Sequence, residues 1–516
     1  MREMNLAYWK ASISGRKEDF DAFARLKIKL KEIYARREDY ARIAKWKDQD
    51  PPSDPLAARQ LELLHIIYLK NQIDPALNRA ITKLATEIEN KFNVHRPRVG
   101  GKQVTNNQIS RILKESKDSD LRKHAWEAGK EVGAEVVDEL ISLVRMRNLA
   151  ARALGYDDYF KMSLALGEQD EGELVELFDH LDSRTRGPFT EMKKEMDDLL
   201  AARHGISPRD LRPWHYEDPF FQRAPSVYEV DLDRYYEDQD IVSLVDRFYS
   251  GIGIVVRDII ERSDLYEKPG KEPHAYCIDI DRRGDVRVLA NISPDENWTG
   301  TMLHELGHAA YDKHISPSLP FFLRQAAHTF TTEAVAMLFG RLSKSAEWIK
   351  DFTGMSEDEM DRMSRSTRRN LRLSQLVFAR WCQVMFRFER ELYRDPDRDL
   401  NRLWWELVEE YQMITPPEGR NEPDWATKIH IVSVPVYYHN YMLGEILASQ
   451  LNHYIQTKVL ESGGDGNLSY NGKPEVGEFL MKKVFSPGAR YRWDEMVEIA
   501  TGEKLTPAYF LAQFVD

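Results

Sequence analysis

Apolar residues recur at helical spacing through most of this chain, with scarcely any alternating pattern between, and that limits it to a helix-built fold. Residues 19–46 place Phe20, Phe23, Leu26, Ile28, Leu30, Ile33 and Tyr34 at three- and four-residue steps among charges, the stripe of a helix packed on a core. The pattern runs on through 55–92, with Asp74-Pro75 as a cap and restart. Pro97 and Gly100-Gly101 break it at 94–107. Further helices are predicted at about 108–116, 119–154 and 171–204. Residues 205–235 are rich in Pro and aromatics and form an irregular crossing between two helical halves, 1–204 and 236–516. One clear strand pair follows, AYCIDID and DVRVLANI, alternating around Arg282-Arg283-Gly284 as a short hairpin does. From 294 onward the pattern is helical again. The expected fold class is all-α with one β-hairpin.

Several functions are excluded by composition. Of the 516 residues, 42% are hydrophobic and 31% charged, and the charges interrupt every apolar run before the ~18 residues a membrane span needs. Residues 1–20 lack an apolar core and a small-residue cleavage site, so no signal peptide is expected. The location implied is cytoplasmic, or extracytoplasmic if a leader has been removed. A net charge of −12 repels phosphate and argues against a general nucleic-acid binder. Cys277 and Cys382 are too few for a disulfide framework or a cysteine zinc site. No pattern specifies an oligomeric state.

The chemistry is concentrated in 293–312, SPDENWTGTMLHELGHAAYD. Ser293 and Glu296 have capping-box spacing and Pro294 suits a first helical position, so a helix is predicted to start there and carry His304-Glu305-Leu306-Gly307-His308. At i and i+4 both imidazoles reach one ion, while Glu305 stands to one side where it can act on water. A catalytic zinc needs a third protein ligand and an open position. His314 lies at the metzincin spacing, but that scheme needs a glycine where Tyr311 stands. Six residues of continuing helix also turn His314 about 240° from His308. Glu333, in the apolar helix HTFTTEAVAMLFGRL, is a carboxylate that is expensive to bury unless it meets a metal. The ligand set is therefore His304, His308 and Glu333, with one Zn²⁺ favoured over Ca²⁺ or Mg²⁺. Asp312, one turn past His308, either orients an imidazole or is an exposed helix-end carboxylate.

With these residues in place the chain resembles the angiotensin-converting-enzyme-like peptidyl-dipeptidases, which are gluzincins. Residues 273–312 are similar to that family's His-Ala strand, hairpin and zinc helix in order, and WWELVEEYQMITPPEGRNEPDWATKIH at 404–430 to its WW…YQ…PP…RNE…K-x-H run. The stretch 5–92, beginning NLAYW, resembles its N-terminal helices. YYHNYMLGE also resembles the more distant thimet oligopeptidases. The resemblance implies a two-lobed ellipsoidal helical shell around a deep central channel, with 1–516 forming one catalytic domain. It implies that Lys428 and Tyr438 bind the substrate's C-terminal carboxylate, that His430 and Tyr441 stabilise the oxyanion, and that His274 and Ala275 hold the peptide backbone. By the same resemblance Glu305 is the general base.

Some positions depart from the family's pattern. The carboxylate-binding glutamine falls near Tyr216, the two halide-binding arginines near Val408 and Asn440, and an acidic residue behind the metal at Met337. The expected function is zinc-dependent hydrolysis of short peptides by release of C-terminal dipeptides. The rivals are an oligoendopeptidase and an inactive binding protein that keeps the fold.

Overall fold

The computed structural model describes residues 1–228, 230–462 and 469–515. Among these, helices dominate, and two small antiparallel ladders are the β-structure. The all-α expectation with a short hairpin holds. Tyr276–Asp279 pairs with Val286–Leu289, Tyr276 opposite Leu289. A second ladder, Arg98–Val99 with Lys102–Gln103, turns through Gly100-Gly101 at positive φ, where the sequence signalled only a break.

Helix boundaries follow local chemistry. Asp54 and Asp74 each precede a proline and accept hydrogen bonds from first-turn amides, starting Pro55–Leu69 and Pro75–Val94. The stretch expected as 19–46 is two helices, Lys17–Tyr34 and Arg37–Gln49. Its apolar stripe is not a core: Phe20, Ile28 and Ile33 are 43%, 57% and 37% exposed. The helix Lys17–Tyr34 packs chiefly on Arg2–Ser14, and one neighbour covers only one edge of a helix. The metal-site helix also starts differently from expectation. Its N-cap is Asp295, which accepts from the Trp298 amide, so the helix runs Glu296–His314. Ser293 only donates its hydroxyl to Asp295 at 2.7 Å, so the expected capping box is absent. An aspartate two residues closer to the helix offers the stronger acceptor.

The chain divides into two compact units, each gathered from separated stretches. One comprises Met1–Gln72, Val230–Arg368 and Leu443–Gln513. Its core lies between Glu296–His314 and Thr329–Gly340, with Leu303, Leu306, Ala310, Phe330, Val335 and Phe339 fully buried. Trp9, Ile280 and Leu289 anchor the hairpin to the N-terminal helix. The other comprises Ile73–Glu229, Arg369–Met442 and Phe514–Asp516. It is built on the long helices Ser119–Ala153 and Glu171–His204, with Phe178 stacked on Phe386 at 4.5 Å in its core. No helix among the described residues is long and apolar enough to cross a membrane.

Candidate active site

In the first unit, His304 and His308 stand one turn apart with their rings nearly perpendicular and Nε2 atoms 3.2 Å apart. Glu333, from Thr329–Gly340, brings Oε2 to 3.6 Å from His304 Nε2 and 3.7 Å from His308 Nε2. Three ligands at 2.0–2.1 Å from a tetrahedral zinc lie about 3.3–3.4 Å from one another. The triangle is therefore the right size for that ion, and among the described residues it is the cluster of three His, Cys, Asp or Glu able to hold a metal. An imidazole–carboxylate set with one open face suits zinc better than the all-oxygen cages of Ca²⁺ or Mg²⁺. His314 is not part of it: its Nδ1 meets the Ala310 carbonyl at 2.8 Å.

The two helices can approach this closely because of Gly307. A Cβ there would lie 2.9 Å from the Ala336 Cα. The outer edges of both imidazoles are also held. His308 Nδ1 meets the Thr332 hydroxyl at 2.8 Å, and the His304 ring donates to the Ala336 carbonyl. These uncharged partners orient the two imidazoles. Burial holds His304 down to about 4 and His308 well below its usual range, so both rings are neutral and free to ligate.

Glu305 is buried on the same helix and accepts the Cys277 N–H of the hairpin strand. Burial, reinforced by Glu333, pushes its carboxyl up to about 8. Asp312 is not an exposed helix end: burial, with Asp279 beside it, pushes it up to about 7. His274 and Ala275 sit just before the regular strand, which begins at Tyr276. His274 is exposed and pairs with Glu272 at 3.0 Å.

The second unit gathers the other expected residues. Lys428 is 4% exposed, with the rings of Phe220, Trp381 and Tyr438 each 5.1 Å from its ammonium. It donates to Gln222 Oε1 at 2.6 Å, and the Tyr438 hydroxyl donates to the same oxygen at 3.2 Å. Gln222, not Tyr216, is thus the glutamine beside this lysine. Tyr216 is engaged elsewhere, its hydroxyl accepting from Lys193 at 2.8 Å and donating to Asp197 at 3.0 Å. The His430 ring lies 5.2 Å from that of Tyr438, and Tyr438 5.4 Å from Tyr441. Burial, with Lys428 nearby, holds His430 down to about 4.

A helical fold carrying HExxH with a glutamate on the next long helix defines a metallopeptidase of the helical kind. The family model described as angiotensin-converting enzyme matches residues 1–182 and 223–516, and the chain belongs to that peptidase family. Three relatives share the description. One from Theromyzon tessulatum is 22% identical over 79% of this chain and 70% of its own length. One from Haematobia irritans exigua is 27% identical over 52% and 46%, and one from Sus scrofa is 21% identical over 77% and 32%. The chain therefore spans less than half of the second and third. The family match lapses over 183–222 and resumes one residue after Gln222. A lone glutamine in a divergent stretch carries no pattern of its own, and this is why Gln222 escaped the sequence.

Proposed function

We propose that this chain is a zinc-dependent peptidase that removes dipeptides from the free C-termini of short peptides. The convergence of His304 Nε2, His308 Nε2 and Glu333 Oε2 on one ion-sized space is the observation that supports it. Bound there, zinc supplies Lewis acidity that lets water attack a peptide carbonyl near neutral pH. Beside the charge of the bound cation Glu305 returns to its carboxylate form, and it then takes the proton from the attacking water and passes it to the departing amine. His430 and Tyr441 donate to the oxyanion, a contribution of about 3 kcal/mol per donor in comparable sites. Lys428, Gln222 and Tyr438 take the substrate's terminal carboxylate. Two donors converging on one oxygen are suited to that charge, and this favours the exopeptidase over the oligoendopeptidase.

Digestion of paired free and C-amidated peptides, read by mass spectrometry, tests the mode of cleavage. Dipeptide steps much faster from free than from amidated ends are expected; internal cuts in amidated peptides would leave the endopeptidase. Metal analysis tests the centre. Glu305→Gln should keep stoichiometric zinc and lose nearly all turnover, whereas Glu333→Ala should lose the zinc. Full zinc in Glu333→Ala, with zinc depleted in His314→Ala, would defeat the assignment.

A further inference from the structure

Val436 stands at φ 55°, in the left-handed backbone region. For a β-branched residue that is a true outlier. It sits between the short helix His430–Ser433 and the helix that begins at Tyr438. Strain of this kind persists only where the surroundings enforce it.

The enforcing group is Glu389, on the long helix Glu357–Arg394 and 2% exposed. Its Oε1 accepts the Val436 N–H at 2.8 Å. Burial pushes this acid up to about 7, against the opposing pull of the Val436 amide and of Arg147. Arg147, on Ser119–Ala153 and itself buried, fixes the other end of the same loop. It donates to the carbonyls of Ile431 at 2.8 Å and Val432 at 2.6 Å, and to the Tyr393 hydroxyl at 3.0 Å. One buried cation thus holds the chain just after His430, and one buried acid holds it just before Tyr438.

We propose that Glu389 is a positioning residue for substrate capture, pinning the Val436 backbone so that Tyr438 is delivered to Lys428 and Gln222 without Glu389 touching the peptide. The inference rests on the reading of Lys428, Gln222 and Tyr438 as the carboxylate site. A buried acid is a poor filler of space, and methionine would occupy the volume as well. What methionine cannot do is accept the Val436 N–H. Glutamine can, through its amide oxygen.

The test measures binding of a free-carboxylate tripeptide by calorimetry in the zinc-loaded Glu305→Gln protein, which holds the peptide uncut. Adding Glu389→Met should weaken binding roughly tenfold through the disorder introduced into the loop, and adding Glu389→Gln should leave it within about twofold. Equal binding by the methionine variant, or equal loss by both, would overturn the inference. No binding by the Glu305→Gln parent would instead defeat the carboxylate-site reading. The wild-type protein supplies a check that does not depend on any variant folding. The Val436 amide should exchange with solvent at least a hundredfold more slowly than an open loop amide, and free exchange would overturn the proposal.

Discussion

Lys428 is strongly tuned by its surroundings in the proposed carboxylate site. Deep burial among three aromatic rings withdraws water from its ammonium and lowers its pKa to about 8, with Asp218 partly opposing the shift. The sign of the pH effect follows. The ammonium is complete below about 8 and is lost above it, so capture of a carboxylate is full on the acid side and fails on the alkaline side. We expect kcat/KM for free-carboxylate peptides to fall above about pH 8, by up to tenfold per pH unit, and C-amidated peptides to lack that limb. Lys428→Met should remove the limb and reduce kcat/KM on free-carboxylate peptides at pH 7 by roughly ten- to a hundredfold. The same limb on amidated substrates would assign it to another group. The lysine was legible from its place in the K-x-H run. Its partner Gln222 was not, because a glutamine acquires this role only when the chain folds it against Lys428.

The decisive elements are the pair Glu296–His314 and Thr329–Gly340. The i, i+4 histidines follow from helical geometry alone, so the sequence placed them on one face. That Glu333 reaches them depends on how near the second helix lies, and Gly307 sets that distance. Gly307→Ala should push the helices apart, lower stability by about 1–3 kcal/mol and weaken zinc binding by roughly ten- to a hundredfold. Thermal melting together with chelator competition reads both effects. Wild-type zinc affinity in that variant would show that the helix spacing does not control the site. Asp295 standing as the cap in place of the expected Ser293 is a smaller instance at this scale: the folded backbone selected the residue whose carboxylate reaches the Trp298 amide.

For the whole molecule, the resemblance places halide-binding arginines at Val408 and Asn440, and the folded chain shows what stands there. Val408 and Lys130 line one small cavity with Trp404 and Trp405. Burial holds Lys130 down to about 7, and Asp424 and Asp218 are the charges that oppose this. Asn440 accepts from Gln169 at 2.9 Å, and Gln169 meets His439 at 2.8 Å in the same hydrogen-bonded network. An added anion would have to compete with two carboxylates at the first place and a satisfied amide at the second. Activity should therefore change by less than about twofold when chloride replaces acetate at constant ionic strength, and a several-fold activation would show the placement to be wrong. The sequence by itself determined the helical class, the single convincing hairpin, the histidine pair with Glu305, and Glu333 as third candidate. Each of these is written in spacing along one helix or strand, where neighbours in sequence are neighbours in space. Tertiary structure decided the rest: the assembly of each unit from separated stretches, the exposure of the stripe on Lys17–Tyr34, the glutamine beside Lys428, and the strained Val436 held by Glu389. Those contacts join residues tens to hundreds of positions apart, and no local pattern records which distant side chain closes a hydrogen bond or covers an apolar face.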